Sequence, residues 1–259
     1  MPINAPNPSR LPRRRLLTLG AALLLAPALG RARAITLAAP QAEWPSPPTE
    51  ARVGLQVGHW QIEELPEEQE RLRGQTGGSG GGVREVDMNL AVARKAATLL
   101  EAVGVAVDLL PATVPKGYLA DAFLAIHCDA STSGGASGYK LARYRDSLIG
   151  TRDDALIAAI SDTYGPASGL RWDDTITRAM TGYYAYNARR YQTIISRKTP
   201  SAIIELGFLT NAADRAVLVG QQDLLAAAIA LGLLRFVIAD RPARDEDRWR
   251  VLDLSHFVP

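Results

Sequence analysis

The sequence predicts an α/β domain built on a mainly parallel, twisted sheet with helices on both faces. Three observations carry that reading. Short, β-branched apolar runs alternate along the chain with longer segments of helical period. The runs lack polar alternation, as strands covered on both faces do. The composition is that of an ordinary globular protein, with 47% hydrophobic and 22% charged residues in a chain of 259, enough for one full-sized core.

Taken in order, residues 1–34 have the layout of a secretory signal. Arg13-Arg14-Arg15 precede an apolar run from Leu16 to Gly30, and Ala32-Arg33-Ala34 offers a small-residue cleavage site. The run is shorter than the ~20 residues that span a bilayer. Arg-Arg-x-Leu-Leu also fits a twin-arginine signal; an uncleaved N-terminal anchor is the alternative. Residues 35–50, with Pro40, Pro45, Pro47 and Pro48, read as a linker. The domain itself is expected over residues 51–240, followed by a charged tail at 241–259 in which His256 is exposed.

Within the domain, Val53–Val57, Val105–Leu110, Phe123–Ile126 and Ala202–Leu206 read as buried strands, and Ser137–Tyr144 as a further strand. Val86–Val103 reads as a helix whose Met88, Leu90, Val92, Ala96, Leu99 and Leu100 face the core, with Gly104 as its C-cap. Asp153–Tyr164 and Asp214–Ala239 read as helices, the second broken near Gly220. Leu224–Ile238, apolar apart from Arg235, is too short for a span and is expected to be a buried helix. The tract Gly77-Gly78-Ser79-Gly80-Gly81-Gly82 lacks the Lys-Ser/Thr ending of a phosphate loop and reads as a flexible linker.

Charge and cysteine content exclude several functions. The formal charge of +2 arises at the N-terminus, where residues 1–34 hold six arginines and no acid. The remainder carries 23 basic against 27 acidic side chains, so no electrostatic footprint for nucleic acid is present. The lone Cys128 excludes an intramolecular disulfide and a cysteine-cluster metal site.

Two of the three histidines occupy equivalent places. His59 lies directly beyond the first strand and His127 directly beyond Phe123–Ile126; such ends of parallel strands converge on one crevice. Glu85 stands at the start of the first long helix, where an acid also complements the helix N-terminus. Glu205 interrupts the apolar run Ser201–Phe208. A carboxylate buried there requires a cation or metal to offset its desolvation. Two histidines and one glutamate with an open fourth position form a catalytic zinc shell, and the second glutamate is then free for general acid–base work.

Four separated segments complete the pattern: Gly58-His59, Glu85-Val86-Asp87-Met88-Asn89-Leu90, Ile126-His127-Cys128-Asp129-Ala130, and Ile204-Glu205-Leu206-Gly207-Phe208-Leu209-Thr210-Asn211. In this order and spacing the chain, from about Arg52 to Ala239, resembles the zinc-dependent N-acetylmuramoyl-L-alanine amidases of the AmiA/AmiC type, the amidase-3 family. The resemblance implies one zinc ion held by His59, Glu85 and His127, with Glu205 as catalytic carboxylate. It further implies a peptidoglycan substrate, cut at the amide between N-acetylmuramic acid and L-alanine. The expected protein is exported to the periplasm, envelope or exterior, is monomeric, and has no membrane span once the signal is removed. Two alternatives stand beside it: a zinc peptidase acting on another amide, and a wall-binding regulator without turnover.

The family's first motif usually reads Asp-Pro-Gly-His-Gly-Gly, whereas here Gln56-Val57-Gly58-His59-Trp60-Gln61 stands. Trp60 is therefore expected beside the metal, where it would reshape the groove. Cys128 and Asp129 replace the Ser or Val and Asn common in the third motif. The stretch from Asp129 to the helix near Asp153 leaves little room for the occluding helix that some members carry. Tyr183, Tyr184, Tyr186 and Tyr191 are expected in packing, and Trp172-Asp173-Asp174 in a solvated turn.

Overall fold

In a computed structural model of the protein, residues 50–132 and 135–240 are described, and strands form where the apolar runs lie. The expected signal segment, most of the linker, and the tail with His256 lie outside the described residues.

Five strands make the main sheet: β1 (Arg52–Val57), β4 (Ala106–Leu110), β5 (Ala122–Asp129), β6 (Lys140–Ala142) and β7 (Ser201–Phe208), in the order β4-β1-β5-β7-β6. β1 runs parallel to β4 and β5, and β5 parallel to β7; β6 closes the edge antiparallel to β7. A small hairpin pairs β2 (Ser79–Gly80) with β3 (Val83–Arg84). The helices are α1 (Glu85–Ala102), α2 (Gly150–Ser168), the single turn α3 (Arg178–Thr181), α4 (Ala212–Gly220) and α5 (Gln222–Asp240).

Strand alternation places a core on each face of the sheet. Val53, Leu55 and Val57 of β1, Leu124 and Ile126 of β5, and Ile204 and Leu206 of β7 share one face, packed against α1, α2 and α5. The opposite face carries Phe123, Ala125 and Ile203, covered by Met180, Tyr183, Tyr186 and Ile195. Helical cover is thus asymmetric: the long helices gather on one face, and α3 with short 3-10 turns and irregular chain covers the other.

α5 is long and apolar enough to cross a membrane by length and composition, but most of it is buried inside the domain. It packs on α1 and α2, with Leu225, Ile229, Leu233 and Val237 fully or almost fully enclosed, as a helix apolar on every side does in a core.

The segment Trp172-Asp173-Asp174 differs from the solvated turn expected. Asp173 is buried, and its carboxylate lies 3.1 Å from the ammonium of Lys140. Lys140 also pairs with Asp129 at 2.6 Å and is itself almost fully enclosed. Its partner was hidden because the two residues are 33 apart in sequence. Breaking a buried pair leaves an uncompensated charge, so Lys140→Ala is expected to lower stability by about 3 kcal/mol. Urea unfolding measures the effect, and a loss under ~1 kcal/mol would show that water already screens the pair.

Candidate metal centre and groove

The C-terminal ends of β1 and β5 and the N-terminus of α1 meet at one point. His59 follows β1 with φ 65°, left-handed backbone that is uncommon for a residue other than glycine. Its Nδ1 lies 2.6 Å from the Gln75 carbonyl oxygen. Donation to that carbonyl fixes the tautomer and leaves Nε2, 3.1 Å from Glu85 Oε1, as the nitrogen available to a metal. His127, the sixth residue of β5, presents Nδ1 at 3.0 Å from the same Glu85 oxygen. Its Nε2 lies 3.0 Å from the Tyr183 hydroxyl. Gly58 is required beside it, since a Cβ there would come within 2.3 Å of the imidazole.

Glu85, the first residue of α1, is held from several sides. Its Oε2 accepts a hydrogen bond from the Gly78 amide at 2.7 Å, and its Oε1 accepts one from the Cys128 amide at 3.2 Å. The glycine tract is therefore not a free linker. It supplies β2 and the turn that leads into β3, and lays its backbone against the cluster. Gly77 has φ +86°, and a Cβ on it would lie 2.9 Å from both Glu85 Oε2 and the His59 ring. Composition alone marks such a tract as flexible; its function here is to let the main chain approach two side chains. Gly77→Ala is expected to weaken metal binding about 10–100-fold, as loss of a supporting contact does. Chelator competition measures it, and unchanged affinity would show that the hairpin gives way without cost.

One donor atom each from His59, Glu85 and His127 lies within 4.8 Å of the others. Two imidazole nitrogens and a carboxylate oxygen at this separation, each backed by a hydrogen bond from the surrounding protein, suit a catalytic zinc ion. Electrostatics agree with the donor set. Burial would raise the Glu85 carboxyl, but hydrogen bonds and charge from His127 and His59 outweigh it and hold the group far below the usual range. Burial pushes His127 down, toward the neutral, ligating form. For His59, burial acts downward but the Glu85 hydrogen bond and charge prevail and raise it.

Glu205 is the direct cross-strand partner of His127 on β7. Its residue keeps some surface open, while Oε2 is enclosed and unpartnered. Burial, then repulsion from Glu85 and Asp129, raises this carboxyl well above the ordinary value, with Lys140 acting in opposition. A dication at the neighbouring cluster would favour its charged form.

His59, His127 and Glu205 all line one groove of about 510 Å³. Two expectations change here. Trp60 is not among the described residues lining the groove; it packs against the helix-side core. The tyrosines do pack, with Tyr183 and Tyr186 in the second core, yet Tyr183 and Tyr184 also form groove wall. Tyr183, missed as a site residue in the sequence, donates its hydroxyl to Tyr184, which donates to the Ala112 carbonyl. Among the described residues between Asp129 and α2 there is no helix, so none covers the groove from that segment.

A mainly parallel α/β sheet thus carries, at its strand ends, a His–Glu–His cluster that could hold a metal and a separate, largely enclosed carboxylate. Residues 53–235 match the family model described as N-acetylmuramoyl-L-alanine amidase, Amidase_3, and the chain belongs to that family. It is an enzyme of the peptidoglycan amidase class. No sequence among the curated proteins matches it. Its fold is similar to that of the N-acetylmuramyl-L-alanine amidase from Mycobacterium smegmatis, at 18% identity and a TM-score of 0.54, over 74% of this chain and 99% of that one. The corresponding amidase from Mycobacterium abscessus gives 18% and 0.52, over 73% and 100%. That from Clostridium difficile 630 gives 20% and 0.50, over 73% and 98%. At these identities the likeness is one of fold.

Proposed function

We propose that this amidase cleaves the bond between N-acetylmuramic acid and L-alanine with one zinc ion held by His59, Glu85 and His127, and with Glu205 moving the proton. The observation that carries the reading is the convergence of three suitable donor atoms within 4.8 Å, beside a second acid on the adjacent strand whose Oε2 is unpartnered. Zinc supplies Lewis-acid activation of water and of the scissile carbonyl. Gln75 and Tyr183 orient the two imidazoles through their outer nitrogens. Glu205, enclosed on one side and open to the groove on the other, accepts the proton of the attacking water at its carboxylate. It returns that proton to the leaving alanine nitrogen. Burial keeps its affinity for a proton high enough to serve both roles.

The substrate is outside the cytoplasm, which fits the reading of residues 1–34 as an export signal and 35–50 as a tether to the catalytic domain. The enzyme is expected to act without an activator. Digestion of purified peptidoglycan by the zinc-loaded protein tests the whole reading. Stem peptides with free alanine amino termini, and glycan chains without new reducing ends, are the expected products. Opened cross-links with peptides still on the glycan would move the assignment to a peptidase. Full zinc occupancy without products would favour a binding role.

A further inference from the structure

We propose that the groove beside the metal cluster binds carboxylates through the exposed arginines that line it, so that the enzyme selects stem peptides with free acid groups. The inference rests on the amidase reading and concerns the peptide side of the substrate. Four arginines line the groove, Arg71, Arg145, Arg178 and Arg190, while Glu205 is the sole carboxylate among the described residues that do so. That imbalance stands out in a body whose acids outnumber its bases beyond residue 34.

Among the described residues Arg71, Arg178 and Arg190 have no ion pair, and Arg145 pairs only with Asp146. The Tyr191 ring stands between two of them, with Arg71 at 6.0 Å and Arg190 at 5.6 Å from its centroid, and Arg71 also donates to the Tyr191 hydroxyl. Cation–π contact positions a guanidinium while leaving most of its donors unspent. Arg145 lies over Gly182, where a Cβ would be 3.4 Å from Nη2. Its approach to Asp146 is a long 3.8 Å. Arg178 opens α3 and has no ion-pair partner among the described residues. Gly182 immediately precedes Tyr183, whose hydroxyl touches His127, so the segment under Arg145 is continuous with the residue that meets the cluster. The planar fork of each arginine matches a carboxylate in two parallel hydrogen bonds, and four such forks along one groove suit a peptide with more than one acid.

The test is binding to the zinc-loaded full chain of the synthetic tripeptide L-alanyl-γ-D-glutamyl-L-lysine, which has two free carboxylates, against its bis-carboxamide. A charge-assisted pair is worth enough to make the acid bind about tenfold or more tighter at low salt. In the Arg145→Gln/Arg178→Gln variant the preference is expected to fall below about threefold, with zinc content and thermal unfolding unchanged. Equal binding of the two peptides, or a preference that survives in the variant, overturns the proposal. Inorganic phosphate competing as strongly as the diacid would overturn it in favour of a phosphate-bearing polymer. Peptidoglycan turnover, measured on the same preparations, separates the two readings. A carboxylate preference without turnover supports the site and counts against the amidase chemistry; turnover without preference does the reverse.

Discussion

Replacing Glu205 by glutamine is expected to reduce hydrolysis of the muramyl–alanine amide by about 10²–10⁴, or ~3–5 kcal/mol of barrier, with metal content unchanged. The side chain lies one strand away from His127, in register with it, and makes none of the contacts that hold the cluster. Its Oε2 is enclosed without a partner, so the amide replaces it at nearly the same volume and removes a buried ionisable group. Stability should therefore hold or rise slightly. This separates catalysis from folding: a structural carboxylate would lose stability on replacement, and a proton-transfer group loses rate. Single-turnover kinetics with metal analysis and thermal unfolding give all three quantities. A rate loss below tenfold with zinc retained would remove Glu205 from the mechanism.

Much of the candidate site was legible because its residues break local patterns. Glu205 is an acid in an apolar strand, and His59 and His127 stand at the ends of uniformly apolar runs. A strand buried on both faces tolerates such residues only where something offsets their desolvation. The β strands and the long helices were legible for the related reason that burial imposes a period. Partners joined by tertiary structure left no such trace. Tyr183 reaches His127 across 56 positions from an irregular segment, and its neighbours Tyr184 and Tyr186 look alike in sequence. Asp173 resembles Asp174 until Lys140 is brought against it. The asymmetry of the two sheet faces is also a tertiary outcome, since α1, α2 and α5 each show only that they are buried, not on which side. The glycine tract misled in the opposite direction. Glycine permits both a flexible linker and a close backbone approach, and only the positions of His59 and Glu85 decide between them.

Glu85→Ala is expected to abolish stoichiometric zinc binding and, separately, to destabilise the metal-free protein by about 2–4 kcal/mol. Both effects follow from one oxygen pair performing two tasks. As the proposed ligand, Glu85 would provide the negative charge between two imidazoles, at 3.1 Å from His59 and 3.0 Å from His127; two neutral nitrogens alone would leave zinc short of a three-residue catalytic shell. As a structural acceptor, the same carboxylate satisfies the amides of Gly78 and Cys128, and an alanine would leave the enclosed Cys128 amide without its side-chain partner. The hairpin should loosen first, because Gly78 is tied to α1 by that bond and by its own carbonyl accepting from the Glu85 amide at 2.9 Å. Faster hydrogen exchange at residues 77–82 is the local readout, and metal analysis the chemical one. Glu85→Gln divides the two tasks, since its amide oxygen can still accept from the main chain while the charge is gone. It should lose zinc with less of the stability penalty. An alanine variant that retained a full equivalent of zinc would show that the metal is held elsewhere, and equal stability of the alanine and glutamine variants would show that the carboxylate is a ligand without a part in holding the hairpin.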